Sequence, residues 1–123
     1  MKKFFKKSIK RLRILVVTAI ARRVYRQAVG KADALHERLG RQTFVITDPR
    51  DESSLAIMTD RGYRSLRRSF HIKSSDAPVS QMKAHCWYHT ENHNGRDGMS
   101  ARRKEIARRA FIKDSLEAAG LIA

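Results

Sequence analysis

The sequence predicts an α+β fold in the order α-β-β-α-β-α, with a long N-terminal amphipathic helix, a small, mainly antiparallel three-stranded sheet and a C-terminal helix. Three observations carry this expectation. Residues 3–39 contain no proline and space their apolar side chains by three and four. Two β-rich runs flank a polar segment that contains proline. A basic, alanine-containing segment follows a capping serine near the C-terminus.

In the first helix Phe5, Ile9, Leu12, Val16 and Ile20 make one stripe, and Val17, Ala21, Val24, Ala28, Leu35 and Leu39 a second. The stripe shifts sideways near residue 17, which predicts either two packing surfaces or a break near Gly30, with the helix ending at Gly40. Thr43–Thr47 and Leu55–Thr59 then read as a hairpin around the polar connection Asp48–Ser54. Its expected inner face carries Phe44 and Ile46 together with Leu55 and Ile57.

Asp60 is placed to N-cap a short helix, Arg61–Ser69, that turns Tyr63, Leu66 and Phe70 inward. Residues 73–81 are polar and contain proline, which marks a surface connection. Met82–Thr90 alternates as a third strand, with Ala84, Cys86 and Tyr88 on one side and Lys83, His85, Trp87 and His89 on the other. After a turn-rich loop, Glu91–Gly98, Ser100 caps the last helix, which points Ile106, Ala107, Ala110 and Phe111 to the core and ends at Gly120. Residues 1–24 thus form a basic amphipathic helical arm leading into a single small α+β domain, residues 25–123.

Length supports one domain: 123 residues leave little room for two cores. Hydrophobic residues make up 41% and charged residues 32%, so the core is small and the surface unusually charged. The formal net charge is +15, a balance that attracts polyanions. A lone cysteine, Cys86, excludes an internal disulfide and makes a reducing, cytoplasmic compartment the expectation. Met1–Arg13 carries seven Lys/Arg and precedes the apolar run Ile14–Ala21, which ends in Ala19-Ile20-Ala21. That run has eight residues and is followed directly by Arg22 and Arg23, which favours an uncleaved helix over an export signal and excludes a membrane span.

The densest chemical cluster is His85-Cys86-x-x-His89 with His93 and, farther off, His71. A zinc site needs four ligands that converge, whereas alternation turns Cys86 away from His85 and His89, and there is no second cysteine. The expectation is a packed Cys86, exposed histidines and no metal site. His93-Asn94 after His89 resembles HNH-type nucleases, but the helix from Ser100 offers no metal ligands where that chemistry needs them. Asp48, Asp51, Glu52 and Asp60 are read as turn and cap residues rather than a Mg²⁺ cluster. No nucleophile elbow, phosphate loop or dinucleotide fingerprint is present, so neither an enzyme, a cofactor nor a small-molecule substrate is expected.

The basic surface remains. Lys2, Lys3, Lys6, Lys7, Lys10, Arg11 and Arg13 form one cluster; Arg61, Arg64, Arg67 and Arg68 a second; Arg102, Arg103, Lys104, Arg108, Arg109 and Lys113 a third. Together they hold 17 of the 27 cations, and no acid precedes Asp33. Tyr63 and Phe111 are expected in the core, which leaves Trp87 as the one stacking platform. Binding should therefore follow the nucleic-acid backbone with little sequence selectivity.

Lys31-Ala32-Asp33-Ala34-Leu35-His36, Phe44-Val45-Ile46, Leu55-Ala56-Ile57-Met58-Thr59, Tyr63-Arg64-Ser65-Leu66-Arg67-Arg68 and Cys86-Trp87-Tyr88-His89-Thr90, with Asn94-Gly95 and Met99-Ser100, resemble a group of small uncharacterised proteins of Bacteroidetes genomes, their phages and mobile elements. The likeness covers roughly residues 25–112, and the chain departs from the group at Thr90-Glu91, where the group carries Thr-Pro. It implies a phage or mobile-element setting and no site residues. Two further readings stand beside nucleic-acid binding: a virion or assembly subunit that docks on an acidic protein partner through the N-terminal helix, and peripheral binding of that helix to anionic membrane.

Overall fold

Helix α1 runs unbroken over Lys2–Leu39, 38 residues or about 57 Å. The computed structural model describes residues 2–48, 51–59, 61–62, 86–92 and 94–122. No break occurs at Gly30, which is exposed in the helix interior with open space where a Cβ would sit. The stop comes at Gly40, whose φ of 65° allows its N–H to reach the His36 carbonyl at 2.7 Å and close the last turn.

Of the two sequence stripes, neither is the core face as written. Ala21, Tyr25, Ala28 and Ala32 are buried, at i, i+4, i+7 and i+11, whereas Val24 and Leu39 are exposed. The first stripe, Ile9, Leu12, Val16 and Ile20, lies in solvent throughout. Small side chains on the buried face let the sheet and the second helix approach α1 closely.

Strands β1, Thr43–Asp48, and β2, Asp51–Thr59, pair antiparallel, with Thr43 opposite Thr59 and Val45 opposite Ile57. The connection is shorter than expected, because Asp51 to Ser54 continue the strand and a register shift after Thr47 sets Asp48 opposite Asp51. The shared face is also corrected. Val45, Leu55 and Ile57 face the helices, while Phe44, Ile46 and Met58 cluster on the other side of the sheet. Both strands carry consecutive apolar residues, so alternation does not choose a face, and a one-residue change of register exchanges the two.

Strand β3, Tyr88–His89, lies on the other side of β1, opposite Val45 and Phe44, giving the order β2-β1-β3. Flanking bonds from the Trp87 N–H to the Val45 carbonyl and the Thr90 N–H to the Thr43 carbonyl prolong the pairing. Expected alternation fails here: Cys86 and His89 lie against Phe44, but Trp87 and Tyr88 both turn to the helix side. The chain bends at Trp87, and the regular strand begins only after it.

Thr59 caps the segment after β2, its Oγ1 accepting from the Gly62 N–H at 3.1 Å, one residue before the expected cap at Asp60. Arg61 and Gly62 are helical. The rest of the Arg61–Ser69 helix, with Tyr63, Leu66 and Phe70, the 73–81 connection and Met82–His85 lie outside the described residues.

Helix α2, Ala101–Ala118, starts where expected, with Ser100 Oγ accepting from the Arg103 N–H. Its end is a paired cap: Leu121 N–H donates to the Leu116 carbonyl and Gly120 N–H to the Glu117 carbonyl, with Gly120 at φ 71°. Leu121 is buried. Phe111 is buried as predicted and Ala107 half-buried, but Ile106 and Ala110 face solvent. The helix leans on α1 through Phe111 against Tyr25 instead, while Ile112 packs on the same core cluster and Lys104 lies over Tyr88 of β3.

Candidate nucleic-acid interface

Packing of α2 on α1 decides which cations meet. The Phe111 ring sits 5.6 Å from that of Tyr25 and 5.4 Å from that of Trp87, and the Tyr25 hydroxyl donates to the Trp87 carbonyl at 2.7 Å. Lys104 lies over Tyr88, whose hydroxyl donates to Asp33, while Leu121 lines one concavity together with Ile9 and Arg13. The two helices are therefore antiparallel. Arg108, one turn before Phe111, is carried to the middle of α1, where it joins Arg22, Arg23 and Arg26 around a concavity of about 480 Å³ floored by Ala19, Tyr25 and Val29.

Arg22, Arg23 and Arg26 belong to none of the three clusters read from the sequence. They continue the acid-free run that ends at Asp33, and that run was their signal; their meeting with Arg108 depends on the helix packing. On α2, Arg102, Arg109 and Lys113 share one side at i, i+7 and i+11, Arg103 is exposed about a quarter turn away, and Lys104 stands toward the opposite side, over Tyr88. Among the described residues, three cations of α2 have acidic company. Glu105 accepts from Arg108 at 2.6 Å and from Arg109 at 3.1 Å, and the Arg108 hydrogen bond holds its carboxyl below the usual range. Lys113 lies 4.0 Å from Glu117.

The N-terminal cluster stays apart. Lys6, Lys7, Lys10, Arg11 and Arg13 are exposed, and Lys6, Lys10 and Arg13 surround a second concavity of about 370 Å³ against Gly120 and Leu121. From Arg13 to Arg22 the helix rises about 14 Å. Side chains of Lys2 and Lys3 fall outside the described residues, as do Arg64, Arg67 and Arg68, while Arg61 is exposed.

Comparison with protein families, with curated proteins and with solved structures finds no match. The reading therefore rests on the chain's own chemistry. Trp87 is not the free stacking platform expected of it: its ring packs edge-on against Phe111 and its Nε1–H donates to Thr47 Oγ1 at 3.1 Å. His89 is buried at 2% exposure, not exposed, with its ring against Phe44. Cys86 is half-buried, and burial pushes its thiol up to about 11, which keeps it protonated at neutral pH. Among the described residues no three His, Cys, Asp or Glu side chains gather as metal ligands; His71, His85, His93 and Asp60 lie outside them. Asn92 holds the next loop, its Oδ1 accepting from the N–H groups of Asn94 and Arg96, which leaves that amide a turn residue.

Proposed function

We propose that the chain is a non-enzymatic protein that binds nucleic-acid backbone, with little sequence selectivity, through cations of α1 and α2. The observation that carries this is the concavity where Arg22, Arg23, Arg26 and Arg108 converge. Guanidinium groups offer paired donors suited to phosphate oxygens, and four around one hollow can follow a phosphate backbone rather than a single ion. The row Arg102, Arg109 and Lys113 adds exposed charge on the side of α2 opposite Phe111. With Trp87 packed against Phe111, aromatic stacking on bases has little support among the described residues, which favours backbone contacts over base readout. A phage or mobile-element setting is part of the proposal and rests on the motif resemblance alone.

The test is fluorescence anisotropy with labelled duplex DNA, duplex RNA and single strands across about 50 to 200 mM salt, where each neutralised phosphate contributes about 0.9 to the slope of log K on log salt for B-DNA. A slope of several units is expected. Replacing Arg22, Arg26 and Arg108 by Gln should lower it by about one unit per residue, evenly across sequences. Absence of binding at low salt, or a triple variant with the parent slope, would reject the reading.

A further inference from the structure

Phosphate binding leaves one exposed feature of α1 unused. Ile9, Leu12, Val16 and Ile20 stand at i, i+3, i+7 and i+11 with relative exposures of 53, 61, 49 and 56%, and Leu15 beside them reaches 67%. These side chains have no donor to offer a phosphate. They form a continuous aliphatic band that ends at Arg23. Cations border the band on both edges: Lys6, Lys10 and Arg13 on one, Arg11 and Arg22 on the other.

We propose that residues 6–22 of α1 dock in the plane of an anionic lipid surface, the aliphatic band entering the headgroup boundary and the bordering cations meeting lipid phosphates. Charge complementarity selects this occupant. Residues 2–32 contain no acid, so the arm of a second copy would bring only like charge against it. A sheet of headgroups presents anions along both edges of the band at once, as the cations here are arranged. Length fits lying rather than crossing. Seventeen residues rise about 26 Å, short of the roughly 30 Å hydrocarbon core, and no described helix is long and apolar enough to span it.

Flotation of the full chain with vesicles tests this, using phosphatidylcholine alone and phosphatidylcholine with one quarter phosphatidylglycerol. Co-flotation is expected with the anionic vesicles only. The double variant Leu12→Ser, Val16→Ser should lower partitioning at least about ten-fold, since it removes apolar groups that would be buried on binding. Its circular dichroism and its nucleic-acid slope should match the parent, because both positions are exposed and neither borders the arginine concavity. That separates the proposal from the nucleic-acid reading. Failure to float with anionic vesicles at low salt, or flotation unchanged in the double serine variant, would overturn it.

Discussion

Tyr25 joins the fold at three points: its ring meets Phe111, its hydroxyl holds the Trp87 carbonyl, and its backbone lies on the buried face of α1. Burial pushes its hydroxyl from 10 up to about 12, so between those values the unfolded chain has released a proton that the folded chain keeps. Stability from this group is complete below pH 10 and is lost as pH rises through the folded value. Tyr88, raised by burial and by its bond to Asp33, acts in the same direction, as does Cys86. Urea unfolding should therefore give a free energy that begins to decline near pH 9, where Cys86 ionises in the unfolded chain, and falls more steeply above about pH 10; Tyr25→Phe should flatten that steeper part while costing about 1 kcal/mol at neutral pH for the lost hydrogen bond. A variant as steep as the parent would remove Tyr25 from this account. Cys86, kept as a thiol by burial, should react with maleimide far more slowly in the folded chain than in urea, as timed mass spectra would show.

Among the elements, the ends of the helices were readable from local chemistry, and the faces of the strands were not. Ser100, Gly40 and Gly120 act within a few residues of their own positions, through a side-chain cap and positive φ, so sequence suffices. Phe44-Val45-Ile46 and Leu55-Ala56-Ile57-Met58 are apolar at successive positions, and only the register with the third strand and the helices tells which side is inner. The arginine concavity is likewise a tertiary product, visible in sequence only as surplus charge. Ala32 shows how tightly the inner side is filled. It is 0% exposed between α1 and its neighbours, so Ala32→Leu should destabilise by about 1–3 kcal/mol through overpacking, read from the urea midpoint at unchanged slope. Glu105 lies on the outer side and engages two arginines. Its exposed pairs contribute little to stability, so Glu105→Gln should leave the melting temperature nearly unchanged while strengthening nucleic-acid binding about two- to five-fold and steepening its salt slope.

For the whole molecule, a net +15 on 123 residues acts on folding and on binding with opposite signs. Exposed cations along α1 and α2 repel one another in the folded chain more than in an expanded one, and salt screens that repulsion over a Debye length of about 10 Å at 0.1 M. The melting temperature should therefore rise with sodium chloride over the same range in which affinity for DNA or RNA falls. Sulfate at matched ionic strength should raise it further, since an anion seated among Arg22, Arg26 and Arg108 stabilises the folded state by mass action as well as by screening. The Gln triple variant separates the two effects. Losing three charges should make it less sensitive to chloride, and losing the site should shrink the extra gain with sulfate to the part owed to sulfate's general exclusion from protein surfaces. If sulfate and chloride act alike in the parent, the concavity holds no anion of that size, and its arginines serve only as part of a diffuse positive field.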